Sequence, residues 1–456
     1  MNQKNFSTLP LSKEMTDNLQ KIGYAQMTPI QSEALPHILK GKDVIAQAKT
    51  GSGKTAAFGI GVLNKLDIKN FKIQSLILCP TRELADQVAK ELRNIAKFAH
   101  NIKILTLCGG SAFYPQTNSL RHGAHIVVGT PGRILKHLDK ETLELQHLKT
   151  LVLDEADRML DMGFIEEIQK ILSYAPKEMQ TLLFSATYPD EIMELSHSIQ
   201  KDAINIKTTH TESLNKISQR FYEVDDEQKL QTLINILSNF EPQNSIVFCN
   251  TKIESDEIAQ KLQDKNIDAL AIHGDLEQYE RNDVLVQFSN KSCRVLIATD
   301  VAARGLDIKE LSAVINYDIP HTQETYTHRI GRTGRAGKEG LAFTLYNKAD
   351  REKAYEYKND TIIFEDITTL KIVNSFDMKP AFVTLVIEGG KKDKLRKGDI
   401  LGALTGDIGL KGDTIGLIDI YDRQSYVAIK YDQIDKAHKG LSKGKIKAKR
   451  FTTWIL

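Results

Sequence analysis

The sequence predicts an α/β protein, with two tandem parallel-sheet domains followed by a small α+β domain. Three observations carry this. Short apolar runs alternate with amphipathic segments from residue 44 to residue 345, as in parallel sheets covered by helices. A polar stretch at 208–213 interrupts the alternation, which then restarts. From Pro380 onward the composition turns basic, with 15 Lys and Arg against 9 Asp and Glu, a net +6 over 77 residues; the remainder carries 46 against 50.

The strand runs of the first half are 44–46, 76–78, 104–107, 126–128, 151–153 and 182–184, and almost every one ends directly in a polar motif. In an open, doubly wound sheet ligands gather at the carboxyl ends of strands, so these motifs share one edge. The second half repeats the pattern at 246–248, 269–272, 295–297, 314–316 and 342–345, with a charged helical segment at 348–357. The domains expected are 1–207, 214–370 and 380–456. In the last, runs at 382–387, 415–420, 426–429 and 451–455, with helices near 397–405 and 435–441, read β-α-β-β-α-β.

At 456 residues, with 41% hydrophobic and 26% charged composition, the chain can bury several cores. The start, Met1-Asn2-Gln3-Lys4-Asn5, is polar, and no apolar run approaches the roughly 18 residues of a membrane span. Cys79, Cys108, Cys249 and Cys293 are scattered without zinc-ligand spacing, and Cys79 and Cys249 read as small buried hydrophobes. A cytoplasmic monomer is expected, with no membrane partner.

Gly51-Ser52-Gly53-Lys54-Thr55, after Ala48, Lys49 and Thr50, is a phosphate loop. Its backbone N–H groups meet phosphates without side-chain obstruction, Lys54 meets the terminal phosphates, and the Thr55 hydroxyl suits Mg²⁺. Only the first half has such a loop, so the second must complete the site. Asp154-Glu155-Ala156-Asp157 ends the apolar run 151–153. There Asp154 is expected to hold Mg²⁺ and Glu155 to polarise the attacking water, diverging as successive strand residues do. Gln31 offers an amide able to pair with adenine, favouring ATP.

The order of further motifs is specific: Thr28-Pro29-Ile30-Gln31, the phosphate loop, Pro80-Thr81-Arg82-Glu83-Leu84, Thr130-Pro131-Gly132-Arg133, the DEAD tetrapeptide, Ser185-Ala186-Thr187, Ala298-Thr299-Asp300, Arg304-Gly305-Leu306-Asp307 and His328-Arg329-Ile330-Gly331-Arg332-Thr333-Gly334-Arg335. Residues 6–345 resemble a DEAD-box ATP-dependent RNA helicase. The resemblance implies two RecA-like domains, ATP and Mg²⁺, with Phe6 stacked on the base, and Gly305 and Asp307 at the ribose side. It assigns Arg332 and Arg335 to the γ-phosphate as fingers from the second domain, guanidinium being a permanent planar fork. It makes Asp157, Ser185, Thr187, His328 and Arg329 the residues that couple closure to hydrolysis. Thr81, Arg82, Gly110, Thr130 and Arg133, with Thr251, Gln278, Arg281 and Thr299, match positions lining the RNA path, where hydroxyls and arginines fix the backbone without reading sequence.

The segments 389–394, 398–405 and 444–449 resemble the RRM-like C-terminal domain of bacterial DbpA-type helicases, which recognise a hairpin of 23S ribosomal RNA during large-subunit assembly. Lys391, Lys392, Lys394, Arg396, Lys445, Lys447, Lys449 and Arg450 are the expected basic contacts. The aromatic signature is poor: Tyr426 fills one stacking position, but Gln424 and Thr384 stand where rings are expected, so ordinary single-strand stacking on this sheet is disfavoured. The function expected is RNA-stimulated ATP hydrolysis driving local unwinding of structured RNA. The alternatives are an ATP-gated RNA clamp or general RNA chaperone, and a DNA helicase, the last disfavoured by the motif forms.

Overall fold

The structure, a computed structural model, describes residues 5–48, 51–208, 217–303, 311–334, 339–359, 361–372, 376 and 378–456. The described residues up to Thr208 form one compact unit, and those from Ile217 onward form a second.

The first unit holds a seven-stranded sheet: β1 (Val44–Gln47), β2 (Ser75–Leu78), β3 (Ile104–Leu107), β4 (Ile126–Gly129), β5 (Thr150–Asp154), β6 (Gln180–Ser185) and β7 (Ile204–Lys207). Their spatial order is β3-β4-β2-β5-β6-β1-β7, with every pair parallel. Alternate residues point into two separate cores. Val152 joins one, which contains Phe58 and Leu92; Leu151 and Leu153 join the other, with Ile134 and Met159. Burial on both faces explains why these strands read as continuous apolar runs.

The second unit contains β8 (Ile217–Glu223), β9 (Ser245–Cys249), β10 (Ala269–Ile272), β11 (Val295–Thr299), β12 (Ala313–Asn316), β13 (Gly340–Tyr346) and β14 (Ile362–Glu365), in the order β10-β11-β9-β12-β13-β8-β14. This reproduces the first sheet place for place. β8 occupies the position of β1, yet leads into Val224-Asp225-Asp226 rather than a glycine loop. β7, β8 and β14 were not among the runs expected from sequence. The segment 209–213, read as a linker, lies outside the described residues.

The tail belongs to the second unit. Its strands, β15 (Phe382–Ile387), β16 (Ile415–Ile420), β17 (Ser425–Lys430) and β18 (Thr453–Ile455), form an antiparallel sheet ordered β16-β17-β15-β18. On one face Leu385, Ile387, Val427 and Ile429 pack beneath the helices Lys397–Gly402 and Ile434–Lys443. The first of these helices continues as a π-helical turn, Ala403–Asp407. Met378 is clamped beside β10: its N–H donates to the Asn266 carbonyl (3.0 Å), and its own carbonyl accepts from Asp268 (3.3 Å). The four cysteines are free and buried, and burial pushes the Cys108 and Cys249 thiols up to about 12. No helix among the described residues is long and apolar enough to cross a membrane.

Candidate active site and RNA interface

β1 ends at the phosphate loop, where Gly51 and Gly53 adopt φ of 82° and 94°. Such left-handed backbone favours glycine. At Gly53 space demands it as well, since a Cβ would lie 2.5 Å from Gln31 Nε2. The loop enters the helix Lys54–Asn64, whose N-terminal N–H groups and dipole suit an anion. Gln31 is buried; its Nε2 donates to the Gly53 carbonyl (3.1 Å), and its Oε1 accepts from the Thr28 N–H (2.9 Å). Gln31 therefore braces the loop, and its amide retains one further N–H and one lone pair for a base.

β5 delivers Asp154 at its last position. Glu155 is not a strand residue, as had been expected. It caps the helix Ala156–Asp161 in left-handed backbone (φ 54°), and this turn, rather than strand alternation, separates the two carboxylates. A non-glycine residue there costs about 1–2 kcal/mol. Lys54 Nζ, Ser52 Oγ, Asp154 Oδ1 and Glu155 Oε2 are buried without a hydrogen-bond partner among the described residues, although Glu155 Oε2 lies 3.4 Å from Arg158 Nε. Burial pushes the Asp154 carboxyl up to about 7 against the pull of Lys54, with Glu155 adding to the rise. A bound cation would reverse that balance. Hard oxygen donors, the Asp154 carboxylate and the Thr55 hydroxyl, fit Mg²⁺, and the unpaired ammonium fits a phosphate.

β6 lies between β1 and β5, and its end clamps both sides. The Ser185 carbonyl accepts from the Ala48 N–H (3.0 Å), while Ser185 Oγ accepts from the Asp157 N–H (3.1 Å). Asp157 Oδ2 in turn accepts from the N–H groups of Ala186 (3.1 Å) and Thr187 (3.0 Å) and from the Thr187 hydroxyl (3.0 Å). Asp157, Ser185 and Thr187 thus form one network.

Two expected roles fail on burial. Phe6, assigned to stack on a base, is 1% exposed, edge-to-face with Tyr24 and packed in the core with Met15 and Leu19, so neither ring face is presented. Arg329, expected to reach the Ser185–Thr187 segment, is 2% exposed. It is committed to Asp300 by two 2.7 Å bonds, to Asn316 Oδ1 (3.2 Å) and to the Asp318 carbonyl (2.9 Å), over the Phe248 ring. It anchors β11 to β12. Arg332 is buried just past the helix Gln323–Ile330, which carries His328. Lys49, Thr50, Gly305, Asp307 and Arg335 lie outside the described residues.

The RNA candidates of the first unit gather beyond the ends of β2, β3 and β4. Thr81 caps the helix Arg82–Ile95, accepting from Leu84 N–H (3.2 Å), and Thr130 precedes the helix Pro131–Asp139. Arg82 lies so close to the Gly109-Gly110 turn that a Cβ on Gly110 would fall 1.6 Å from its Nη1. Arg133 donates to Gln116 Oε1 (2.8 Å) and the Ser111 carbonyl (3.0 Å). Sequence reading missed this support. Gln116 also bonds the Cys108 carbonyl (3.0 Å) and His137 Nε2 (3.1 Å), while His137 stacks on Phe113. Burial, with Arg133 and Lys136 nearby, lowers His137 to about 4, so it is neutral at pH 7.

In the second unit Thr251 caps the helix Lys252–Gln263, accepting from Glu254 N–H (3.2 Å), and Thr299 ends β11. The helix Gln278–Ser289 opens with Gln278, bonded to Asn282 (3.1 Å), and Arg281, bonded to the His273 carbonyl (3.0 Å).

In the tail Lys391, Lys392, Lys394, Arg396, Lys445, Lys447, Lys449 and Arg450 are all exposed. Lys447 Nζ donates to the Lys394 carbonyl (3.2 Å), joining the two basic loops, and sits in a tight turn closed by the Ile446–Lys449 bridge. Tyr426 does not share this exposure. Its ring is 4% exposed against Val286, and its hydroxyl donates to Asp283 Oδ1 (2.8 Å), which withdraws it from the expected stacking role.

Family models match as the DEAD/DEAH box helicase domain over 28–195, the helicase conserved C-terminal domain over 228–337 and the DbpA RNA binding domain over 384–454. The chain is 49% identical over 453 residues to the ATP-dependent RNA helicase DbpA of Escherichia coli (strain K12), covering 97% of this chain and 98% of that protein. The DEAD-box ATP-dependent RNA helicase CshA of Geobacillus kaustophilus (strain HTA426) is 46% identical over 75% of this chain and 73% of its own. Among solved structures, S. cerevisiae Dbp5 bound to RNA and ADP BeF3 aligns at TM-score 0.72 and 30% identity, over 80% of this chain and 96% of that one. Mss116p bound to ssRNA and AMP-PNP aligns at TM-score 0.72 and 28% identity, over 80% of each.

Two outcomes follow from the geometry. Arg329→Ala should destabilise the second unit by roughly 3 kcal/mol, because Asp300 loses its buried partner; urea unfolding would show it, and an unchanged midpoint would dismiss the anchor. Gly110→Ala should push Arg82 aside and weaken RNA binding by about tenfold, the worth of one charge-assisted bond, while ATP affinity stays the same. Filter binding and nucleotide titration separate these, and equal RNA affinity would exclude this turn from the interface.

Proposed function

Because the chain belongs to the DEAD-box ATP-dependent RNA helicases and carries the DbpA-type RNA-binding domain, we propose that it uses ATP hydrolysis to open short duplexes in 23S ribosomal RNA during assembly of the large subunit. The observation that carries the RNA target is the tail, where two exposed basic loops are tied together by Lys447 and Lys394. A core that contacts phosphate and sugar positions RNA without selecting it, so selection falls to a domain that recognises a folded element.

In this reading the phosphate-loop N–H groups and Lys54 hold the triphosphate. Thr55 and Asp154 would hold Mg²⁺, which when bound would supply charge neutralisation to the triphosphate. Glu155 orients a water for in-line attack and draws off its proton from its place at the left-handed turn after β5. Asp307 meets the ribose, and Arg332 and Arg335 meet the γ-phosphate once RNA is bound, which makes turnover depend on RNA. The Asp157 network reports the state of the site to the Ser185–Thr187 segment.

Glu155→Gln should keep ATP and RNA affinity while turnover falls at least about 100-fold, the usual worth of a positioned base. ATPase assays beside equilibrium binding test this, and near-normal turnover would remove Glu155 from the mechanism. Replacing Lys445, Lys447 and Lys449 together by Glu should raise the half-maximal concentration of 23S rRNA for ATPase stimulation by about tenfold or more, flatten its salt dependence, and spare stimulation by poly(A). Unaltered preference for ribosomal RNA in that variant would refute tail targeting. Strand-displacement assays on the intact protein distinguish unwinding from an ATP-gated clamp.

A further inference from the structure

The short helix Ala156–Asp161 that follows β5 carries Arg158 in its first turn, three residues after Glu155. The backbone is pinned there. The Glu155 carbonyl accepts from the N–H groups of Arg158 (3.0 Å) and Met159 (3.2 Å), and Asp157 Oδ1 accepts from the Arg158 N–H (3.0 Å) as well. Helical side chains lean toward the N-terminus, so a residue at i+3 lies over the one at i. Arg158 Nε accordingly reaches 3.4 Å from Glu155 Oε2, with side chains only 8% and 7% exposed. Burial sets this contact apart from a surface ion pair, which water and salt screen. Yet it falls short of a hydrogen bond: Glu155 Oε2 and Arg158 Nη1 are both buried without a hydrogen-bond partner among the described residues.

A guanidinium bonded fork to fork with a carboxylate occupies the lone pairs with which a base takes a proton. Here the attraction is kept and the lone pairs of Oε2 are spared. The fixed positive charge restricts where the carboxylate rests, while its oxygen stays open to a water. We propose that Arg158 is the positioning residue of Glu155: it holds the carboxylate by charge in the orientation from which it takes the proton of the attacking water, without consuming the oxygen that does so. This rests on the reading of Glu155 as the group that activates water. In that step the water oxygen bonds the γ-phosphorus, and the bridging β–γ oxygen leaves with the electron pair of its bond. The water proton passes to Glu155, and Arg158, permanently protonated, gives up nothing.

The test uses the full chain with ATP, Mg²⁺ and saturating RNA, and reads single-turnover hydrolysis by rapid quench beside the KM for ATP and the half-maximal RNA concentration. Arg158→Met keeps length and helix propensity but removes the charge. Its single-turnover rate should fall at least about tenfold, since misplacing a reacting group by about 1 Å costs on the order of 100-fold. Because the loss is confined to the chemical step, KM and RNA response should stay within about twofold of the parent. Arg158→Lys keeps the charge on a flexible stem and should recover the rate to within about threefold of the parent. In a Glu155→Gln background, adding Arg158→Met should lower the rate by less than about a further twofold, because residues that act as a unit are not additive. Should Arg158→Met fail to fold, Arg158→Gln, polar but uncharged, carries the same expectations. An unchanged rate overturns the proposal, as do losses that multiply in the double variant, or a lysine variant no better than the methionine one. A KM for ATP that rises as far as the rate falls overturns it too, by making Arg158 a general support of the site. If Glu155→Gln alone keeps near-normal turnover, the reading of Glu155 itself fails; if it loses turnover while Arg158→Met does not, only the positioning role falls.

Discussion

Inside the first unit an ammonium and two carboxylates are kept from water, with atoms that find no hydrogen-bond partner among the described residues. Burying charge this way costs several kcal/mol for each group. Only a scaffold that cannot relax keeps Lys54 facing Asp154. Three adjacent strands supply it: β1 leads to Lys54, β5 delivers Asp154, and β6 between them ties one side through the Ser185 carbonyl and the other through the Ser185 hydroxyl. Cores on both faces of the sheet hold those strands in register. The site is poised for a charged ligand because the described residues leave Lys54 Nζ and Asp154 Oδ1 without a hydrogen-bond partner.

Strand periodicity made most of this legible. Runs such as 76–78 and 151–153 are buried on both faces, and nothing except a central strand gives so short a continuous apolar run next to a polar motif. Strands β7, β8 and β14 escaped notice because they are less uniformly buried: Ile204–Lys207 and Ile362–Glu365 lie at sheet edges with exposed positions, and Ile217–Glu223 mixes Ser218, Gln219 and Arg220 among its apolar residues. With β8 in view, the two sheets prove equivalent place for place, and the missing phosphate loop of the second becomes a local change after one strand.

The candidate site was legible wherever chemistry depends on residue type and spacing, as in Gly51 to Thr55 or Asp154 and Glu155. It was not legible where a side chain's role depends on what lies opposite in space. Arg329 sits within an arginine-rich segment, and nothing in that segment reveals that its donors are taken by Asp300, Asn316 and Asp318. Phe6 follows a family spacing, while its burial reflects Tyr24, Met15 and Leu19. Gln116 and His137 carried no signal at all, since an amide and a neutral imidazole acquire meaning only beside Arg133. At Glu155 the residue was evident but its backbone was not; left-handed geometry at a glutamate is visible only in coordinates.

The basic tail begins near Pro380 by composition, yet its folded neighbourhood begins a hundred residues earlier, at Asp283, Val286 and Asn290. Compositional boundaries mark where chain chemistry changes; they do not mark where independence starts. A tail grafted after residue 380 of another helicase would arrive without the helix surface it fits, leaving Val386 and Tyr426 facing solvent and Thr384 short of a donor. Inheritance and engineering therefore meet the same restriction. The two surfaces have to travel together, so this RNA-binding domain is less a portable module than one half of a matched pair.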